Sequence, residues 1–145
     1  MKVLIAEDNK IVILGLKKIF SEYPEIELDI AENGLTALNF LLKHKSNLPD
    51  FILLDLNMPI MDGIEFLSTI KKNDDLKSIP VIIHSTSNNI SDIEKCQLLG
   101  CAGYFVKEVD FTKYKSNIKL IIEYWKQSKG HKVLKNLDNK FKKTS

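Results

Sequence analysis

Five short apolar runs, each followed by a stretch of helical periodicity, restrict what this chain can fold into more than any other feature. Val3-Leu4-Ile5-Ala6 precedes "NKIVILGLKKIFSEY", where Val12, Leu16, Ile19 and Phe20 recur at helical intervals and the pattern closes before Pro24. "IELDI" at 26–30 alternates like a strand and leads into "NGLTALNFLLKH", with Leu35, Leu38, Leu41 and Leu42 at helical spacing. Phe51-Ile52-Leu53-Leu54 leads into "GIEFLSTIKK", with Ile64, Leu67 and Ile70 on one face and Phe66 at its margin. Pro80-Val81-Ile82-Ile83 precedes a weaker helix that begins at Ile90 and stops by Gly100. Ala102-Gly103-Tyr104-Phe105-Val106 precedes "FTKYKSNIKLIIEYWKQ", with an apolar stripe of Tyr114, Ile118, Ile121, Ile122 and Trp125. Near-continuous apolar strands are those covered on both faces. Five βα units therefore predict an α/β fold, a doubly wound five-stranded parallel sheet with helices on both faces.

A chain of 145 residues, 44% hydrophobic and 28% charged, can enclose such a core without metal or disulfide staples. Residues 1–128 contain no repeat or low-complexity linker and read as one domain. Residues 129–145 read as a basic C-terminal extension, a short helix or a disordered tail. That tail carries six Lys against the single acid Asp138, whereas residues 1–128 carry fifteen Lys against eighteen acids. All basic residues are Lys, so bidentate base readout by Arg is absent and a nucleic-acid partner is not expected. No apolar run approaches the roughly 20 residues of a membrane span, and four apolar residues after Lys2 are too few for a signal peptide. A cytoplasmic location with no membrane partner is expected. Cys96 and Cys101 lack a His/Cys cluster at zinc spacing and read as reduced packing residues.

In open parallel sheets, binding residues gather beyond the carboxyl ends of the strands. Four runs here end in polar or charged groups: Glu7-Asp8 after the first, Asp55 after the third, Ser85-Thr86 after the fourth and Lys107 after the fifth. Two carboxylates about 4 Å apart repel by roughly 4 kcal/mol at an effective dielectric of 20, so Glu7, Asp8 and Asp55 together need a cation or a retained proton. Oxygen ligands favour Mg²⁺ or a similar hard ion such as Mn²⁺, which leaves a coordination position for phosphate. Phosphoryl transfer follows, with a carboxylate as nucleophile and a Lys completing the clamp. The plain alternative is a solvated acidic loop in which Asp8 caps the first helix. "PIMDG" reads as a turn, with Pro59 fixing φ and Gly63 tolerating positive φ.

The acidic pair Glu7-Asp8, Asp55 within "LLDLNMPIMDG", Ser85 thirty positions later and Lys107 twenty-two beyond that resemble the response-regulator receiver domains of two-component signalling, over about residues 2–127. The resemblance implies a flavodoxin-like fold with strand order 2-1-3-4-5. It implies Asp55 as phosphoacceptor, with Asp8, Asp55 and the Asn57 backbone carbonyl around Mg²⁺ (or Mn²⁺) and Glu7 supporting. Ser85 and Lys107 would bind the phosphoryl group. Ser85 and Tyr104 would form a switch that alters the face made by the fourth helix, fifth strand and fifth helix. The implied partners are a sensor histidine kinase and an output or phosphotransfer protein, the chain acting by binding a partner or as a phosphorelay intermediate. The implied chemistry is self-phosphorylation and self-dephosphorylation, not conventional enzyme turnover. Glu108 stands where the family usually has Pro, and with the ending "IKLIIEYW" this is similar to single-domain regulators of phytochrome-type kinases. Tyr124 and Trp125 could extend into a homodimer contact. His84 stands where an apolar residue is common and reads as a polar end-of-strand His. Two readings compete. An aspartyl phosphohydrolase generally wants an acid where Asn57 stands. A DNA-binding regulator, of which this would be the N-terminal part, would show salt-dependent DNA binding through residues 129–145.

Overall fold

The structure, a computed structural model, describes residues 1–142, with side chains through residue 128. The side chains of the expected extension at 129–145 lie outside the described residues. The chain forms two compact units, Met1–Glu108 and Val109–Ser145.

The first unit runs β1 (Lys2–Ala6), α1 (Lys10–Phe20), β2 (Glu27–Ala31), α2 (Gly34–Lys43), β3 (Phe51–Leu54), α3 (Gly63–Lys71), β4 (Val81–Ser85), α4 (Ile90–Leu98) and β5 (Gly103–Val106). All strand pairs are parallel, in the order β2-β1-β3-β4-β5. The chain steps from β1 to β2 in one direction and from β2 onward in the other. With right-handed crossovers this puts α1 on one face of the sheet and α2, α3 and α4 on the opposite face.

Strand alternation supplies a core to each face. Leu4, Ala6, Ile52, Leu54, Val81 and Ile83 cluster with Ala37 and Leu41 of α2, Phe66, Leu67 and Ile70 of α3, and Cys96 of α4. Val3, Ile5, Phe51, Leu53 and Ile82 are buried on the other side of the pleat, as are Leu16 and Ile19 of α1. Helices of nine to eleven residues are marginal alone, and burial at roughly 1.5–3 kcal/mol per large apolar side chain holds them. Asn9, Asn33, Asp62 and Asn89 cap α1 to α4, each side chain accepting backbone N–H groups of the first turn. The cap of α1 is thus Asn9, and the Asp8 carboxylate is not used for it.

Three sequence expectations shift. The buried face of α2 is carried by Ala37 and Leu41, while Leu35 and Leu42 are 41% and 39% exposed. Phe66 is central to α3 and Ile64 lies at its margin. β4 runs on through His84 to Ser85, because both polar residues stay in the ladder opposite Phe105 and Val106.

The second unit is α5 (Phe111–Lys142), entered through Asp110, whose side chain accepts the Thr112 N–H. Tyr114, Ile118, Ile121 and Ile122 form its buried stripe. Trp125 is half-buried and Tyr124 is 61% exposed. Among the described residues no helix is long and apolar enough to cross a membrane.

Candidate metal and phosphoryl site

Three charged residues each stand one step beyond a strand, with their backbone still tied to the sheet. Glu7 donates its N–H to Ala31 O, Asp55 to Ala6 O and Lys107 to Ser85 O, at 3.0, 2.9 and 2.7 Å. These bonds fix where each side chain starts. Order reverses between β1 and β3, so Glu7, Asp8 and Asp55 meet at the topological switch point, where open α/β sheets present their crevice.

The side chains converge. Lys107 Nζ lies 2.8 Å from Glu7 Oε2 and 3.4 Å from Asp55 Oδ2. Glu7 Oε1 accepts the Asn9 N–H at 3.1 Å. One carboxylate oxygen from each of Glu7, Asp8 and Asp55 lies within 4.8 Å of the others. Glu7 and Asp55 are 2% and 5% exposed, whereas Asp8 faces solvent. Burial pushes the Glu7 carboxyl above its usual range; the Lys107 hydrogen bond opposes this and the Asp55 charge adds to it. Three carboxylates against one ammonium leave excess negative charge. Asp55 Oδ1 is buried with no hydrogen-bond partner. An orphaned anionic oxygen beside two further carboxylates fits a hard divalent cation, which would satisfy that oxygen and offset the charge together.

Beside the acids lies a cavity of about 540 Å³ that Asp8, Asn57, Met58, Ile64 and Asp92 help to line. Asn57 is exposed and shares this wall with Asp8. The turn below it departs from expectation. Positive φ falls on Ile60 (φ 70) and not on Gly63. Gly63 is needed for close approach: a Cβ there would lie 2.3 Å from Asp55 O and 2.7 Å from Leu56 Cα.

At the end of β4, between Asp55 and Lys107 in strand order, register decides between two hydroxyls. Ser85 is fully buried and Thr86 is exposed. Ser85 Oγ accepts the Ser87 N–H at 3.3 Å, and the Tyr104 hydroxyl donates to the Ser87 carbonyl at 2.8 Å. Burial raises the Tyr104 phenol pKa. His84 is 3% exposed, and burial, reinforced by the Lys107 charge, pushes its imidazole down to about 3. The structure therefore brings Glu7, Asp8, Asp55 and Lys107 together, sets Asn57 on the adjoining wall, and links Ser85 to Tyr104 through Ser87.

One residue of this neighbourhood escaped the sequence reading. Asp92, in the first turn of α4, accepts the Ser87 hydroxyl at 2.7 Å. Its position three residues beyond the cap Asn89 is the one signal that could have pointed back toward the loop.

Comparison with known proteins agrees with this geometry. Residues 3–119 match the response regulator receiver domain family. The response regulator Rcp1 of Synechocystis sp. is 34% identical over 128 residues, covering 85% of this chain and 87% of that protein. The crystal structure of the phosphorylated cyanobacterial phytochrome response regulator RcpA superposes with a TM-score of 0.82 at 33% identity, covering 88% of this chain and 94% of that one. The Mn²⁺-bound form of Rcp1 superposes with a TM-score of 0.79 at 32% identity, covering 86% and 93%. With its β2-β1-β3-β4-β5 sheet and acids at the switch point, the chain belongs to the response regulator receiver domain family, the phosphoacceptor signalling modules of two-component systems.

Proposed function

We propose that Asp55 is the residue phosphorylated, in a Mg²⁺-dependent transfer from a sensor histidine kinase or a small phosphodonor. The observation that carries this reading is Asp55 Oδ1, buried, unpartnered and part of a carboxylate whose other oxygen faces Lys107 Nζ at 3.4 Å. One carboxylate oxygen of Asp55 attacks phosphorus, the new O–P bond forms, and the P–N or P–O bond to the donor breaks with its electron pair leaving on the donor atom. Asp8, Asp55 and the Asn57 carbonyl would hold the metal, with Glu7 in support. When bound, Mg²⁺ (or Mn²⁺) offsets negative charge on the transferring phosphoryl oxygens. Lys107, already drawn to Asp55, moves its ammonium to a phosphoryl oxygen, and the Ser85 hydroxyl donates to another.

The return reaction is self-dephosphorylation. Water attacks phosphorus, the acyl O–P bond breaks, and inorganic phosphate leaves the carboxylate restored. Between the two steps, the Ser85–Tyr104 pair alters the partner-binding surface around α4 and β5, with an output or phosphotransfer protein as its reader. Residues 1–128 carry these functions in a cytoplasmic setting, and 129–145 are an accessory basic extension. The likeness to proteins described as phytochrome response regulators makes a phytochrome-type kinase the first donor to try.

Intact-mass measurement with acetyl phosphate and Mg²⁺ tests the assignment. The expected result is a gain of one phosphoryl group, lost on chelation and absent in Asp55→Asn. Stoichiometric uptake by the Asp55→Asn protein would overturn it.

A further inference from the structure

Ser87 uses every polar atom it has within one small neighbourhood. Its N–H donates to Ser85 Oγ at 3.3 Å and its carbonyl accepts from the Tyr104 hydroxyl at 2.8 Å. Its own hydroxyl donates to Asp92 Oδ2 at 2.7 Å while accepting the Asn89 N–H at 3.3 Å. The bond to Asp92 is charge-assisted and short, so it is the strongest of the four. Ser87, Asp92 and Tyr104 are half-buried and Ser85 is fully buried, which shields the network from competing water. Every partner belongs to the chain itself, so the arrangement needs no phosphoryl group to form.

We propose that Asp92, acting through Ser87, is a positioning residue that holds Ser85 and Tyr104 in the phosphoryl-receptive arrangement before phosphorylation. The inference rests on Asp55 as phosphoacceptor and Ser85 as phosphoryl-binding hydroxyl. A loop of polar residues between β4 and α4 loses conformational entropy when it is ordered. With the Asp92 anchor that ordering precedes binding, and an arriving phosphoryl group meets a larger competent fraction. Asp92 has one competing role. As an acid in the first turn of α4 it interacts favourably with the helix dipole. The two roles separate by substitution, since Asp92→Asn keeps an acceptor oxygen but loses the charge, whereas Asp92→Ala loses both.

The experiment titrates the whole chain with beryllofluoride, a phosphoryl mimic, in Mg²⁺ by calorimetry. It also follows Tyr104 in the free protein by ¹⁹F NMR of fluorotyrosine, assigned with Tyr104→Phe. Asp92→Ala and Ser87→Ala each weaken beryllofluoride binding about five- to tenfold, the size of one lost hydrogen bond in a half-buried setting. The double variant is no weaker than either single one, Asp92→Asn loses less than Asp92→Ala because a neutral acceptor remains, and the Tyr104 resonance moves in both Ala variants. Equal losses for Asn and Ala, additive losses in the double variant, or an unmoved Tyr104 resonance overturn the inference. Parent protein that binds while both Ala variants bind equally well overturns it alone. Parent protein that fails to bind beryllofluoride overturns the phosphoacceptor reading and this inference with it.

Discussion

His84 is the residue whose chemistry and surroundings disagree most. It occupies a strand position between Ile83 and Ser85 and is 3% exposed, where a neutral imidazole is tolerated and an imidazolium is not. Burial and the nearby Lys107 charge hold its folded pKa at about 3, against 6.5 for an unperturbed group. Between those values the unfolded chain takes up a proton that the folded chain refuses. The stability that His84 contributes is therefore complete above the unfolded pKa and is lost as pH falls through this window toward about 3. The limiting slope is roughly 1.4 kcal/mol per pH unit for one proton. Urea unfolding of the parent and His84→Gln proteins between neutral and acid pH measures it. The parent loses more stability than the variant as pH falls, and parallel profiles would refute the assignment. Carboxylates titrate in the same range, but they are common to both proteins and cancel in the difference.

At the scale of elements, the junction of β3 and α3 is closely packed. Gly63 donates its N–H to Leu56 O at 2.9 Å, and a Cβ at this position would overlap Asp55 O. The obstacle is backbone and cannot swing aside as a flexible side chain would. Gly63→Ala is expected to destabilise the protein by about 1–3 kcal/mol, read as a lower urea midpoint, and to displace the Asp55 backbone enough to slow phosphorylation. An unchanged midpoint would show that the junction has slack. Elements differ in how far they could be read from sequence. Strands β1, β3 and β4 were legible because burial on both faces turns each into an apolar run, β2 because it alternates, and the acids and Lys107 because they follow directly on strands. The side of α2 facing the core was read only in part, since leucines outweigh Ala37 on any hydropathy scale although Ala37 and Leu41 together are its fully buried side chains while Leu35 and Leu42 are partly exposed. The end of β4 was missed because His84 and Ser85 are polar yet paired. Ser87–Asp92 was missed because that bond depends on the path of the loop between β4 and α4 and not on any periodicity, and the place of Asp92 three residues beyond Asn89 signals only a helix start.

For the molecule as a whole, the acids at the switch point set stability against function. Glu7, Asp8 and Asp55 converge within 4.8 Å, and one Lys107 ammonium cannot neutralise them. Their mutual repulsion favours the unfolded chain, where the same groups separate into water. A divalent cation that binds only the assembled cluster reverses the sign. At 100 times its dissociation constant it stabilises the fold by about 2.7 kcal/mol, so the thermal midpoint rises with Mg²⁺ concentration. Asp8→Asn separates the two effects, because Asp8 is the exposed member and its removal leaves no buried group unpaired. In the absence of metal this variant melts higher than the parent, having lost one repelling charge. In Mg²⁺ it melts lower, because the cation has lost a ligand. The crossing of the two melting series is the signature of a cluster kept for its chemistry at the expense of stability. A variant that tracks the parent at every Mg²⁺ concentration would show instead that Asp8 neither repels its neighbours nor holds the ion.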